Sequence, residues 1–265
     1  MKQLVSKVSI YSPILHPILG ICNSAKDGAE GINMIEVRAF KGLGGADHGW
    51  LKAKHHFSFG GYHDPERMGW GSIRVWNDDE IAPHTGFPPH PHANMEIITY
   101  VRDGAITHED SLGNKGRTEA GDVQVMSAGS GIRHAEFNRE PETTRLFQIW
   151  IEPEREGGKP SWGAKPFPKG DRSGSFVVLA SGFAGDADAL PIRAEARVLG
   201  ATLKAGESAE YALGRGRHLY LVPAEGDVEV NGVTLNARDG AAIADEAVVK
   251  IKALSDSEIV LVDAA

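Results

Sequence analysis

Apolar positions along the chain fall into short runs rather than long stripes. EIITYV, DVQVM, RLFQIWI, SFVVLA, HLYLV, VEVNGVTL, VVKIKAL and EIVLVDA are each bounded by Gly, Asp, Asn or Pro. None of them carries helical spacing through three turns. The pattern predicts many short strands joined by tight turns, hence an all-β chain folded as sandwiches or barrels.

The pattern also repeats. EIITYVRDGAITHED leads through a turn into EAGDVQVM, and HLYLVPAEGDVEVNG leads into VTLNARDGAAI. In both, a strand enters a Gly hairpin, a second strand follows, and a Gly-Asp or Asp-Gly corner opens another strand, which reads as a weak internal duplication. Between the two copies lies a stretch rich in Pro, Gly and charge with no strand pattern. The expected division is a domain over residues 1–153, a linker over 154–175 and a second domain over 176–265.

Length and charge narrow the classes. With 265 residues, 41% hydrophobic and 24% charged, the chain is of ordinary soluble composition and long enough to bury a core. A net charge of −8 argues against nucleic acid or an anionic membrane as the default partner. No run reaches the roughly 18 apolar residues of a membrane span. The start, MKQLVSKVSIYSPILHPILG, is broken by Pro13, His16 and Pro17 and is read as no signal peptide. Cys22 is the only cysteine, which excludes an internal disulfide and leaves His and carboxylate as metal donors. The expected location is cytoplasmic.

The candidate chemistry is concentrated in the first half. Nine of the eleven histidines lie between His48 and His134, while His218 stands alone in the second half. In GFPPHPHANMEIITY, His90 and His92 stand two apart, so extended backbone turns both imidazoles to one face. Pro91 between them removes a backbone donor, which predicts an edge or strand-start position. In AGDVQVMSAGSGIRHAEFN, His134 and Glu136 are again two apart, after a small-residue corner. Two such pairs can close on one point between adjacent strands. Three imidazoles and a carboxylate suit iron(II), manganese, cobalt, nickel, copper or zinc with open positions left, and the lack of thiolate argues against closed structural zinc.

GFPPHPHANMEIITYVRDG and GDVQVMSAGSGIRH resemble the two cupin motifs. More narrowly, FPPHPH, HEDSLGNKG and QVMSAGSGIRHAEFN resemble the pirin family, a bicupin group, and above all its bacterial members that act as quercetin 2,3-dioxygenases. The likeness covers most of residues 50–153; the second half shares only the strand pattern and lacks ligands. The resemblance implies two tandem cupin jelly-roll β-barrels and one divalent metal, iron(II) before the others, held by His90, His92, His134 and Glu136. It implies oxidative opening of a flavonol-like aromatic substrate with dioxygen, releasing carbon monoxide and a depside, with Glu136 accepting the substrate's hydroxyl proton. Pirin relatives also act as metal- or redox-sensing modules that bind a protein partner, so that reading stands beside the enzyme. A third, weaker reading is another oxygen-dependent or isomerising cupin. A monomer is expected.

The remaining residues have blander expectations. Glu96 is taken as a strand residue hydrogen-bonded near the site. His108 precedes a turn carrying Asp110, Gly113 and Asn114 and is read as structural or exposed. His55 and His56 are expected one on each side of a strand, on a paired surface strand before a pocket-lining role, and His84 in a loop near the site, reaching substrate or water. Phe57, Phe87, Met95 and Met126 are core residues, of which one or two are expected to face the metal cavity.

Overall fold

A computed structural model describes residues 34–265. Expectations that fall on earlier residues, including Cys22, His16 and the nature of the start, lie outside the described residues. As the sequence predicts, the fold is all-β, with three 3-10 turns as its only helical elements among the described residues.

Each half consists of a seven-stranded sheet facing a four-stranded sheet, and the sheets are jelly-roll-like rather than closed barrels. In the first half the large sheet runs Ser161–Lys165, Val123–Ser127, Glu96–Asp103, Thr144–Ile151, Ile73–Ile81, Leu51–His55, Gly44–Asp47. In the second it runs Met34–Arg38, Gly240–Ala244, His218–Glu225, Ser257–Ala264, Ala196–Leu203, Val177–Ser181, Leu190–Pro191. The small sheets run Gly86–His92, Ile132–Phe137, Ala105–Asp110, Lys115–Glu119 and Ser208–Ala212, Val248–Ala253, Val228–Val230, Val233–Leu235. Each position in one half has its counterpart in the other except the last strand of the large sheets, where Gly44–Asp47 pairs antiparallel and Leu190–Pro191 parallel, so the duplication seen in the sequence is present in the topology.

The outermost strand of each large sheet comes from a connecting segment. Met34–Arg38, expected in the first domain, pairs with Gly240–Ala244 and completes the second half's sheet. Ser161–Lys165 lies in the stretch read as a strandless linker, yet it pairs with Val123–Ser127 and closes the first half's sheet edge. Its composition hid it, because its pairing partner is remote in sequence. Each of these two strands thereby pairs the main strand beside it and becomes the edge strand itself.

The two large sheets pack against each other. Phe57, Trp76, Ile98, Tyr100 and Phe147 from the first half share one core with Tyr220, Val222 and Val260 from the second. Strand alternation then sends Ile97, Thr99 and Val101 to the other face, toward the small sheet. A large-sheet strand is buried on both faces, which is why EIITYV reads as an unbroken apolar run.

His55 and His56 alternate as expected but are not on a surface; both are buried. His55 Nδ1 hydrogen-bonds Asn77 at 2.8 Å. His56 sits in the core between the halves, where Tyr220 Oη hydrogen-bonds its Nδ1 at 2.9 Å. Gly240 leaves space for that bond, since a Cβ there would lie 2.1 Å from Tyr220 Oη and 2.7 Å from His56 Nδ1. Burial, reinforced by Arg38, lowers the His56 pKa from 6.5 to about 3. The unfolded chain therefore binds a proton below pH 6.5 that the folded chain refuses, so stability is full above that pH and falls on acidification. At about 1.36 kcal/mol per pH unit, His56 accounts for a loss of about 2–3 kcal/mol by pH 4.5. His56→Asn, which keeps an acceptor near Nδ1, is expected to flatten this part of the slope in urea titrations between pH 6.5 and 4.5.

Candidate metal centre

Gly86–His92 is the edge strand of its sheet, pairing with Ile132–Phe137 alone. This is the place Pro88, Pro89 and Pro91 require, since prolines cannot donate to a second neighbour. The register sets His134 opposite His90 and Ile132 opposite His92, with a bulge between His134 and Glu136. The three imidazoles form a near-regular triangle: ring centroids are 4.5 Å apart for His90 and His134, 4.8 Å for His90 and His92, and 5.0 Å for His92 and His134. One nitrogen from each falls within 4.8 Å of the others.

Their surroundings keep the rings neutral. Burial lowers the pKa of His90, that of His92 to about 3 and that of His134 to about 2, the neighbouring histidines adding to the last two. His90 Nδ1 lies 2.8 Å from the Pro88 carbonyl, which can only accept, so Nδ1 carries the proton and Nε2 the lone pair. His134 Nε2 is buried with no hydrogen-bond partner. A buried polar atom left without a partner is costly unless something binds it.

Glu136 is brought to the same strand but into a second cluster. Its carboxylate falls within 4.8 Å of donor atoms of His134 and His108, and not in the His90–His92–His134 group. Oε1 accepts from Gln124 Nε2 at 2.5 Å and Thr99 Oγ1 at 3.3 Å, and Oε2 accepts from Gln148 Nε2 at 2.7 Å. Burial pushes its pKa up to about 7 against these three donors. Gln124 and Gln148 were missed from sequence, although each is a single polar residue inside an apolar strand run, DVQVM and LFQIWI. Asp79, buried nearby, has its pKa raised by burial, then by Asp78 and Glu136.

Other expectations need correcting. Of the two alternatives for His108 the structural one holds: it is fully buried, not exposed, and stacks on Trp162 with centroids 4.8 Å apart and planes 7° from parallel. Glu96 accepts from Ser127 Oγ at 2.6 Å. Alternation from Thr99 places it on the opposite face of the sheet, away from the cluster. His84 is exposed at the Gly86 end of the strand. Phe57 faces the second half, while Met126 packs with Ile97 and Ile132, and Phe87 lies 6.2 Å from His90. Trp150, unforeseen, stands edge-on to His92 at 5.0 Å.

A cavity of about 450 Å³ opens beside this cluster, lined by Pro91, His92, Ala93, Ser111, Gly131, Ile132 and Arg133. It is a shallow, widely open depression, and of the triangle only His92 lines it. No described helix is long and apolar enough to cross a membrane.

Comparison with known proteins agrees with this architecture. The Pirin family model matches residues 36–151, and the model of the quercetinase C-terminal cupin domain matches 178–264. A "Pirin-like protein" of Caulobacter vibrioides is 78% identical over 88% of this chain and 100% of its own length. The "Quercetin 2,3-dioxygenase" of Escherichia coli K12 is 40% identical over 87% of this chain and 98% of its own. The crystal structure of the bacterial pirin YhhW from E. coli in complex with nickel(II) superposes with a TM-score of 0.82, at 40% identity, over 87% of this chain and 99% of that one. The chain belongs to the pirin family of bicupins.

Proposed function

We propose that His90, His92 and His134 hold one divalent transition metal, that Glu136, grouped with His134 and His108 in the metal-free chain, completes the donor set by exchanging a hydrogen bond for the ion, and that the protein opens flavonol-like substrates with dioxygen. The observation that carries this is the triangle of neutral imidazoles, whose buried His134 Nε2 has no other partner, beside a cavity bordered by His92. The donor set fits such an ion: nitrogen-rich, with one hard oxygen and no thiolate. The similar E. coli pirin was crystallised in complex with nickel(II), and the same donors accept iron(II). When bound, the ion supplies the charge that acidifies a coordinated hydroxyl and a centre at which oxygen can react.

This chain's residues supply the rest. Pro88 fixes the orientation of His90, and Trp150 packs the ring of His92. Glu136, oriented by Gln124, Gln148 and Thr99, is the acceptor of the substrate's hydroxyl proton. Burial raises the Glu136 pKa, and a bound cation would offset that penalty and keep the carboxylate ionised for this role. The quercetin 2,3-dioxygenase names of similar proteins support catalysis over a sensor, and the depression bordered by His92 leaves one side of the triangle open.

The test is anaerobic reconstitution with iron(II) or nickel(II), addition of quercetin, and admission of oxygen. Loss of flavonol absorbance with carbon monoxide release, abolished by removing the metal, is the expected result. Bound metal without turnover would reject flavonol opening.

A further inference from the structure

We infer that His108 and Asp110 form a positioning relay that sets the tautomer of His134 and thereby aims its Nε2 into the metal centre. The inference rests on the reading of His134 as a ligand, and goes beyond it to residues outside the ligand set.

The chain of contacts begins at Asp110. Its Oδ2 lies 3.0 Å from His108 Nε2 and accepts from Asn114 Nδ2 at 2.9 Å. Its Oδ1 accepts the backbone N–H of Leu112 at 2.9 Å and of Asn114 at 3.0 Å. A carboxylate engaged by these donors can only accept, so the proton of neutral His108 sits on Nε2. The His108 lone pair is then on Nδ1, which lies 3.4 Å from His134 Nδ1. His134 must bring the hydrogen to that contact, which leaves its lone pair on Nε2. That is the buried atom without a partner. His108 and Asp110 thus do for His134 what the Pro88 carbonyl does for His90, at one remove. Outer partners of this kind orient ligating rings and raise their basicity.

The fold holds the relay rigid. Cross-strand pairing puts Asp110 opposite His134 and His108 opposite Glu136. Trp162 covers the His108 ring from the edge strand Ser161–Lys165, over the gap left by Gly116, where a Cβ would lie 2.2 Å from Trp162 Cη2.

Two measurements test it. In zinc-loaded protein, ¹⁵N NMR of the imidazoles is expected to show His108 protonated at Nε2 alone and His134 at Nδ1 alone; a proton on His108 Nδ1 would overturn the relay. Calorimetric titration with nickel(II) then compares wild type, His134→Ala, His108→Asn and His108→Gln. The Asn variant keeps an acceptor near the Nδ1 position; the Gln variant keeps a donor toward Asp110 but loses that acceptor. Gln is expected to weaken nickel binding about 10–100-fold, and Asn to restore most of it. Equal affinity for wild type and the Gln variant, with His134→Ala inactive in binding, would reject the relay while leaving the centre intact. Absence of nickel binding in the wild type would instead reject the centre itself.

Discussion

Replacing His134 with alanine is expected to weaken divalent-metal binding by more than about 100-fold, beyond the roughly 10–100-fold typical of an outer partner. His134 sits where the two clusters meet, sharing one with His90 and His92 and the other with His108 and Glu136. Its loss removes the only residue common to both, and it is the most buried of the three imidazoles in the triangle. The check is twofold. Nickel(II) titration should show the loss of affinity directly, and thermal melts should show it by linkage. An ion present at about 1,000 times its dissociation constant stabilises the folded chain by about 4 kcal/mol, and that gain should vanish in the variant. Metal-free wild type and variant should share the same far-ultraviolet circular dichroism, since the strand pairing does not depend on the imidazole.

Asp78→Ala is expected to produce the largest loss of stability. The Asp78 carboxylate is fully buried between the halves and receives Arg238 Nε at 2.6 Å and Nη2 at 3.1 Å, along with the Arg102 guanidinium. Arg102 and Asp78 belong to the first half and Arg238 to the second, so one carboxylate neutralises cations from both. Removing it leaves the buried Arg102 guanidinium without its partner, while Arg238, partly exposed, keeps Glu80 at 3.3 Å; losing the partner of a buried ion costs about 3–5 kcal/mol. Urea unfolding should report that loss, whereas Asp256→Ala should change little. Lys204 Nζ lies 2.8 Å from Asp256, but both side chains are largely exposed, and such pairs contribute at most about 1 kcal/mol. Asp78 faces the second half while its neighbour Asp79 faces the cluster, so folded Asp78→Ala protein should still bind metal.

Much of this arrangement was legible in the sequence because strand period is a strict rule. Two residues apart on extended backbone means one face: His90 and His92 both join the triangle, while Glu136, beyond a bulge, goes with His134 into the second cluster. Pro91 marked an edge strand, and the structure has one there. What could not be read was anything that depended on a partner remote in sequence. Residues 154–175 looked strandless because Pro, Gly and charge dominate their composition, yet Ser161–Lys165 is held by the backbone of Val123–Ser127 and delivers Trp162 to His108. His108 looked like a strand end before a turn. The turn is there, built on Asp110, but Asp110 also bonds back to His108 and so connects the turn to the cluster. His55 and His56 were assigned to a surface because alternating faces usually include a wet one. The large sheet has no such face there, since the second half covers it. Glu96 is read from the cupin resemblance as a strand residue hydrogen-bonded near the centre, whereas alternation along its own strand turns it away.

The most direct measurement is X-ray absorption on the nickel(II)-loaded chain, with metal content determined on the same sample. About one nickel per chain, with the outer-shell scattering of three imidazoles, is the predicted result, and His134→Ala should lose it. Substoichiometric metal, or a first shell of oxygen alone without imidazole scattering, would contradict a centre built on His90, His92 and His134.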